Sequence, residues 1–286
     1  MEPLKNELSA EKAKHIGAAL KHAHPAFPLP RFRKGLDAAL EPLGLKQRVI
    51  HIAGRIEACL PEDPRVMFPV LTAALASGLR GFPVWPLTEI VARRGLDHFD
   101  ASMTALAEMT RVFTGEFAIR PFLRTHPERT LKQLHAWCGH SDEHVRRLVS
   151  EGSRPLLPWG GNLTELLEPP HPTLALLEKL HRDPSDYVRL SVANHLNDFS
   201  KHHPTLVIAT LARWRDANAG DARLEKLARH ACRTLLKAGH PAALEFHGYG
   251  PAKSLALDAF ELADSTVKTG GSLGYRIIIK ANQVAP

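Results

Sequence analysis

Residues 185–201 read Ser185-Asp186-Tyr187-Val188-Arg189-Leu190-Ser191-Val192-Ala193-Asn194-His195-Leu196-Asn197-Asp198-Phe199-Ser200-Lys201, and the pattern of this stretch stands twice more in the chain. Val188, Ser191 and Val192 match Val145, Leu148 and Val149 at a spacing of 43, and Leu227, His230 and Ala231 at a spacing of 39. Positions i, i+3 and i+4 share one face of a helix, so the segments around 143–152, 185–201 and 223–238 predict three equivalent helices. The stretch before each opens on His-Pro, at His126-Pro127, His171-Pro172 and His203-Pro204, and a further copy stands at His240-Pro241. Proline suits the first helical position, where its missing N–H would have had no intrahelical acceptor. In two of these stretches a tryptophan follows ten residues after the proline, at Trp137 and Trp214. Alternating helices with a unit of about 40 residues predict an all-α fold, a HEAT-like helical-repeat solenoid in which each helix pair buries its apolar face on its neighbours. On this pattern alone, an irregular helical domain with coincidental His-Pro pairs stays open as the alternative.

Upstream, helical pattern covers 10–23, 34–41, 45–59 and 66–79, less regularly than in the repeats. Gly81-Phe82-Pro83-Val84-Trp85-Pro86 reads as a turn or loop. Three parts are therefore expected: an N-terminal helical part at 1–80, the repeats at 81–262, and a segment of different character at 263–286. In that last part Leu273-Gly274-Tyr275-Arg276-Ile277-Ile278-Ile279-Lys280 is a β-branched run that reads as a strand, about residues 273–281. No partner strand is evident for it, and one strand cannot satisfy its own backbone. It reads as the start of a β-module that is missing or lost.

Composition narrows the partner. The 37 Lys and Arg exceed the 30 Asp and Glu, giving +7 and a pI near 9.4. This excess suits a polyanion, nucleic acid before membrane, since no polybasic run abuts an apolar segment. No apolar run approaches the ~20 residues that a membrane span requires, and Met1-Glu2-Pro3-Leu4-Lys5-Asn6 lacks an apolar signal-peptide core. Cys59, Cys138 and Cys232 are too few and too scattered for a disulfide framework, which fits the cytoplasm. Cys138, His140 and His144 have a ligand-like spacing but no fourth partner, so no metal is expected. There is no Gly-x-Ser-x-Gly elbow and no phosphate-binding glycine loop, because Thr269-Gly270-Gly271-Ser272 precedes a strand.

The repeat register places Leu190, Asn194 and Asp198 on one helix face, with Arg147, Glu151 and Pro155 one unit earlier and Arg229, Arg233 and Lys237 one unit later. This column lies just off the apolar stripe, where solenoids present their concave surface. Cations along a groove can take up successive phosphates, whereas Glu151 and Asp198 would repel the same backbone. Either the acids carry chemistry, or Arg147 and Glu151 form an i,i+4 pair while Asp198 bonds to a neighbouring helix. Trp159, in the loop Pro155-Leu156-Leu157-Pro158-Trp159-Gly160-Gly161, is either a core plug or a stacking platform.

Several longer motifs resemble the bacterial DNA alkylation-repair glycosylases, in the AlkC branch of the AlkC/AlkD superfamily. They are Phe113-Thr114-Gly115-Glu116-Phe117-Ala118-Ile119-Arg120-Pro121-Phe122, His144 to Pro155 with Leu157-Pro158-Trp159, and Val188 to Asp198. Trp85-Pro86 and Gly95-Leu96-Asp97-His98-Phe99 add to the likeness, which runs from about 80 to 245. The resemblance implies HEAT-like repeats that hold double-stranded DNA and excise N3-methyladenine and related cationic purines, without rotating the nucleotide into a closed pocket. It also implies an immunoglobulin-like β-domain after the repeats, of which 273–281 would be the first strand. Carried over by position, Asp198 is the leading catalytic candidate, Glu116 and Glu151 are companion acids, and Trp159 packs against the lesion's sugar and backbone. Arg147 would bind phosphate or orient an acid. Arg154, Arg189, Arg229 and Arg233 are further candidates for DNA contact, chosen by their faces.

A cationic base leaves without protonation, so the enzyme has to stabilise the cationic sugar. A nearby carboxylate does so and can position water, and an aromatic face adds about 1–2 kcal/mol. The expectation is a monomeric, monofunctional glycosylase of the nucleoid, with no cofactor. No lysine stands in the matched motifs as a Schiff-base nucleophile. The alternatives are a non-catalytic HEAT-repeat protein that binds damaged DNA and a scaffold for protein partners.

Overall fold

In the computed structural model, residues 3–169, 171–250 and 255–281 are described. The N-terminal helices are α1 (Ala10–Ala23), α2 (Leu29–Arg33), α3 (Leu36–Leu40), α4 (Leu45–Glu57) and α5 (Pro64–Ala73). There follow α6 (Trp85–Arg94), α7 (Phe99–Thr110), α8 (Arg120–Thr125), α9 (Pro127–Trp137), α10 (Glu143–Gly152), α11 (Leu174–Leu180) and α12 (Asp186–Ser200). The series ends with α13 (Pro204–Ala217), α14 (Ala222–Ala231), α15 (Arg233–Lys237), α16 (Pro241–Phe246), β1 (Leu255–Leu262) and β2 (Tyr275–Ala281). The chain divides into two compact units, Met1–Leu235 and Leu236–Pro286.

Local chemistry sets the helix ends. Asp63, Asp142 and Asp221 each accept a backbone N–H at 2.9 Å at the heads of α5, α10 and α14, satisfying donors that a helix leaves open at its start. Three of the four His-Pro pairs open helices as expected, at α9, α13 and α16. At His171-Pro172 a turn intervenes and α11 starts at Leu174.

The repeats are the pairs α9–α10, α11–α12 and α13–α14. Their second helices pack in succession, α10 on α12 and α12 on α14, and each also packs on the first helix of its own pair. Of the nine residues that carried the sequence match, Val145, Leu148, Val149, Val188, Ser191, Val192, Leu227 and Ala231 are buried there, and His230 is half-buried. Helix α12 lies between its neighbours and is buried on nearly every side, polar positions included. Polar groups in such a helix must be bonded, and His195 shows how. Burial drives its pKa down to about 3, which makes it a neutral ring. Nδ1–H then donates to Ser150 O at 2.9 Å, while the Thr173 hydroxyl donates to Nε2 at 3.2 Å. These bonds tie α12 to α10 and to the turn before α11.

Three sequence expectations need correction. The stretch at 81–86 is not a plain loop: Phe82–Val84 form a 3₁₀ turn and α6 begins at Trp85, with Pro86 in its first turn, where proline is tolerated. The helix expected at 223–238 is broken at Cys232 into α14 and α15. The strand expected at 273–281 is β2, and it does have a partner. It pairs antiparallel with β1, from Leu255↔Ala281 to Leu262↔Tyr275, with a register irregularity between Leu257 and Ala259. β1 falls in the part assigned to the repeats. Its composition, Leu-Ala-Leu-Asp-Ala-Phe-Glu-Leu, is as compatible with a helix, and the pairing decides against local propensity.

Candidate active site

Five charged side chains of alternating sign form a continuous chain. Arg147 Nη1 lies 2.5 Å from Glu116 Oε2, and its Nη2 lies 3.4 Å from Glu151 Oε1. Arg154 Nη1 lies 2.7 Å from the same Glu151 oxygen. Arg154 then grips Asp198 with two donors, Nε to Oδ2 at 3.0 Å and Nη2 to Oδ1 at 3.2 Å. Glu116, Glu151, Arg154 and Asp198 are all buried, Asp198 to 1% exposure. Burial works to lower the Arg154 pKa, but its bonds to Asp198 and Glu151 outweigh that and raise it. Three carboxylates and two guanidiniums are thus drawn largely out of solvent, and the buried Arg120 guanidinium lies close enough to feel both Arg154 and Asp198.

Secondary structure places each member. Arg147 and Glu151 stand one turn apart on α10, and Arg154 follows where that helix ends. Asp198 comes from the last turn of α12. Glu116 lies in the turn between α7 and α8, where Thr114 Oγ1 donates to its carboxylate at 2.8 Å and accepts from Arg147 Nη1 at 2.9 Å. Gly152 lets this turn close on α10, since a Cβ there would meet Ile119 at 2.5 Å. Ser191 Oγ donates to Glu151 Oε2 at 2.6 Å and Leu156 N–H donates to Asp198 Oδ2 at 3.3 Å.

The acid chain opens on a cleft of about 340 Å³ whose lining includes Glu116, Glu151 and Arg154. One wall is aromatic: Phe117 stacks on Trp85 with centroids 4.9 Å apart, and Phe82 and Phe113 continue the surface. Leu157, Pro158 and Trp159 face it. Trp159 is 57% exposed, so it is not a core plug. Its backbone has φ 64°, in the left-handed region that a bulky side chain rarely adopts.

A larger groove of about 530 Å³ runs between α12 and α14. Its lining includes the cations Arg223, Lys226, Arg229 and Arg233, the acid Asp186, and the exposed Tyr187 and Leu190. The Arg147 guanidinium sits 5.1 Å from the centre of the Tyr187 ring, beside this groove.

Of the residues expected from sequence, Glu116, Glu151, Trp159, Arg147, Arg154 and Asp198 converge on one place. Both structural alternatives are present as well: the Arg147–Glu151 pair exists, and Asp198 bonds across to the chain after α10. Asp198 stands behind Arg154, while Glu116 and Glu151 line the cleft. Arg154 and Arg189 are buried, and their donors are committed within the protein. Arg189 bonds to Asp183 O and Asp186. Arg229 and Arg233 line the basic groove, as does the largely buried Arg189. Sequence reasoning did not single out Ser191, Tyr187, Arg120 or Lys46. Ser191 left a signal, a hydroxyl in a register position that Leu148 fills one unit earlier.

No family model matches the chain. It is 37% identical over 286 residues to the uncharacterised protein YhaZ of Bacillus subtilis (strain 168), covering 99% of this chain and 78% of that one. It is also similar to the solved Pseudomonas fluorescens alkylpurine DNA glycosylase AlkC bound to DNA containing an abasic site analog, with 36% identity and a TM-score of 0.82 over 93% of this chain and 73% of the other. With its paired repeats, its buried acid chain and this likeness along nearly its whole length, the chain belongs to the AlkC branch of the bacterial alkylation-repair DNA glycosylases.

Proposed function

We propose that this protein is a monofunctional glycosylase that releases cationic alkylated purines, of the N3-methyladenine type, from double-stranded DNA. The observation that carries the reading is the buried chain of three carboxylates, two of which, Glu116 and Glu151, line an aromatic cleft. Such a site favours a cation over a neutral group, because the field of fixed carboxylates is weakly screened where solvent is excluded.

The reaction follows from these groups. The C1′–N bond of the lesion breaks, and its electron pair leaves with the base and neutralises the base's charge. The positive charge passes to the sugar, which Glu116 and Glu151, the acids lining the cleft, stabilise as an oxocarbenium-like species. Water adds at C1′ and gives its proton to a carboxylate. Asp198 completes the chain from behind, holding Arg154 and with it Glu151. Trp159 offers its exposed indole to the sugar and backbone beside the lesion. The nucleotide need not turn into a closed chamber, because the cleft is open beside Trp159. Among the described residues no lysine lines the cleft, which supports a glycosylase without a strand-cutting Schiff-base step. The proposed working form is a monomer. The groove between α12 and α14, with Arg229 and Arg233, is the seat for the DNA backbone.

The test is release of free base from N3-methyladenine DNA by wild type and by Glu151→Gln and Asp198→Ala. Release by wild type, reduced at least ~100-fold in both variants (about 2.7 kcal/mol of barrier), is the expected result. No release at wild-type levels that saturate the DNA overturns the catalytic reading and leaves a damage-binding protein.

A further inference from the structure

Trp159 raises a mechanical problem. Its indole is mostly in solvent, so burial of the ring does not fix its place, and its backbone sits in a conformation that costs a bulky residue free energy. Such a residue stays put only if its surroundings over-determine it, and here the loop's carbonyls are held from outside. Arg120, on α8, is itself buried. Its Nη1 donates to Gly152 O at 3.0 Å and Arg154 O at 2.7 Å, and its Nε to Gly161 O at 3.1 Å, so one guanidinium spans both ends of the loop. Arg124 Nη2 donates to Asn162 O at 2.9 Å. Lys46, on α4 and far away in sequence, donates from Nζ to the carbonyl of Trp159 itself.

The fit leaves no slack. A Cβ on Gly160 would lie 2.9 Å from Leu157 and 3.2 Å from Arg120, and one on Gly161 would lie 3.1 Å from Arg124. Three cations from two helices thus serve carbonyl oxygens of a single loop. For Arg120 this is costly, since burial depresses its pKa to about 10 and no carboxylate is bonded to it. A bare structural loop does not call for that arrangement.

We infer, resting on the glycosylase reading for the catalytic consequence, that Lys46 and Arg120 are positioning residues that clamp the 155–161 loop and hold the Trp159 indole at the lip of the cleft. Lys46 acts through the Trp159 carbonyl and not through DNA. Lys46 is exposed, so its substitution leaves the fold intact and makes the sharper test.

Base release from N3-methyladenine DNA is measured for Lys46→Met, Lys46→Arg, Trp159→Ala and Lys46→Met combined with Trp159→Ala. Expected are a kcat lowered at least ~5-fold in Lys46→Met with KM changed less than ~2-fold, and recovery in Lys46→Arg. The double variant should be no slower than Trp159→Ala, since the two residues act as one unit. A loss that falls in KM, steepens with salt and persists in the Trp159→Ala background identifies Lys46 as a phosphate contact and overturns the inference. A second reading is independent of activity: amide hydrogen exchange over residues 155–163 in the free protein should quicken at least ~10-fold in Lys46→Met, and also in Arg120→Lys. Unchanged exchange removes the clamp even if wild type is an active glycosylase. Quickened exchange in the variants, with a wild type that releases no base, keeps the clamp and discards the glycosylase.

Discussion

At the residue scale, the alternating chain from Glu116 to Asp198 is coupled, so its members cannot be removed singly without stranding a neighbour. Arg154→Met would leave Glu151 and Asp198 buried without their shared cation. Breaking a buried pair in this way costs about 3–5 kcal/mol, to be read as a lower midpoint in urea unfolding. Trp159→Ala is the opposite case. The indole is 57% exposed and its backbone is strained, so unfolding free energy should move by no more than about 0.5 kcal/mol. Base release should nevertheless fall about 10-fold, as expected for loss of a cation–π contact of about 1–2 kcal/mol. A Trp159→Ala variant as active as wild type would remove the indole from the mechanism. The acids were legible from the repeat register and from family motifs; their order was not. Only the three-dimensional arrangement sets Asp198 behind Arg154, because the Pro155 turn folds the chain after α10 back across α12.

At the scale of elements, α12 is the keystone, and His195 gives it a pH dependence. The folded-state pKa of about 3 lies below the ordinary 6.5, so below 6.5 the unfolded chain binds a proton that the folded chain refuses. The contribution of His195 is therefore complete above pH 6.5 and is lost progressively as pH falls toward 3. Melting temperature should fall across that window in wild type and fall less steeply in His195→Gln, and equal slopes in the two proteins would exclude His195 as the source. The capping aspartates act on single elements. Asp221→Ala removes the acceptor for Arg223 N–H at the head of α14 and should cost about 1 kcal/mol, measured as a shift in urea midpoint at constant slope. Sequence pattern placed α1, α3, α4, α10 and α12 within two residues at either end, ran past the end of α5, and gave no helix for α2 or for α6 to α8. It missed β1 because Leu, Ala and Glu carry no preference strong enough to outvote a partner strand.

At the scale of the whole molecule, a charge of +7 and a basic groove between α12 and α14 predict DNA binding that weakens steeply with salt. The logarithm of the association constant should fall linearly with the logarithm of salt concentration. Arg233→Gln should reduce that slope by about 1 for a lost phosphate contact, in titrations of an abasic-site duplex, and an unchanged slope would place the backbone elsewhere. The sequence by itself determined the helical repeats, since the i, i+3, i+4 spacing of apolar residues and the prolines at helix starts are local and periodic. That Glu116, Glu151, Asp198 and Trp159 belong together was what the resemblance to the AlkC branch implied, through three motifs that stand apart in the chain. Tertiary structure alone decided which cations stay at the surface and which are spent inside. Arg154 and Arg189 stand one residue off the column that holds Arg229 and Arg233, and they are buried against carboxylates and carbonyls. Long flexible side chains choose their partners across helices, and no spacing along one helix encodes that choice. The Lys46–Trp159 bond joins residues with no common motif, and such a contact exists only once the fold brings its two ends together.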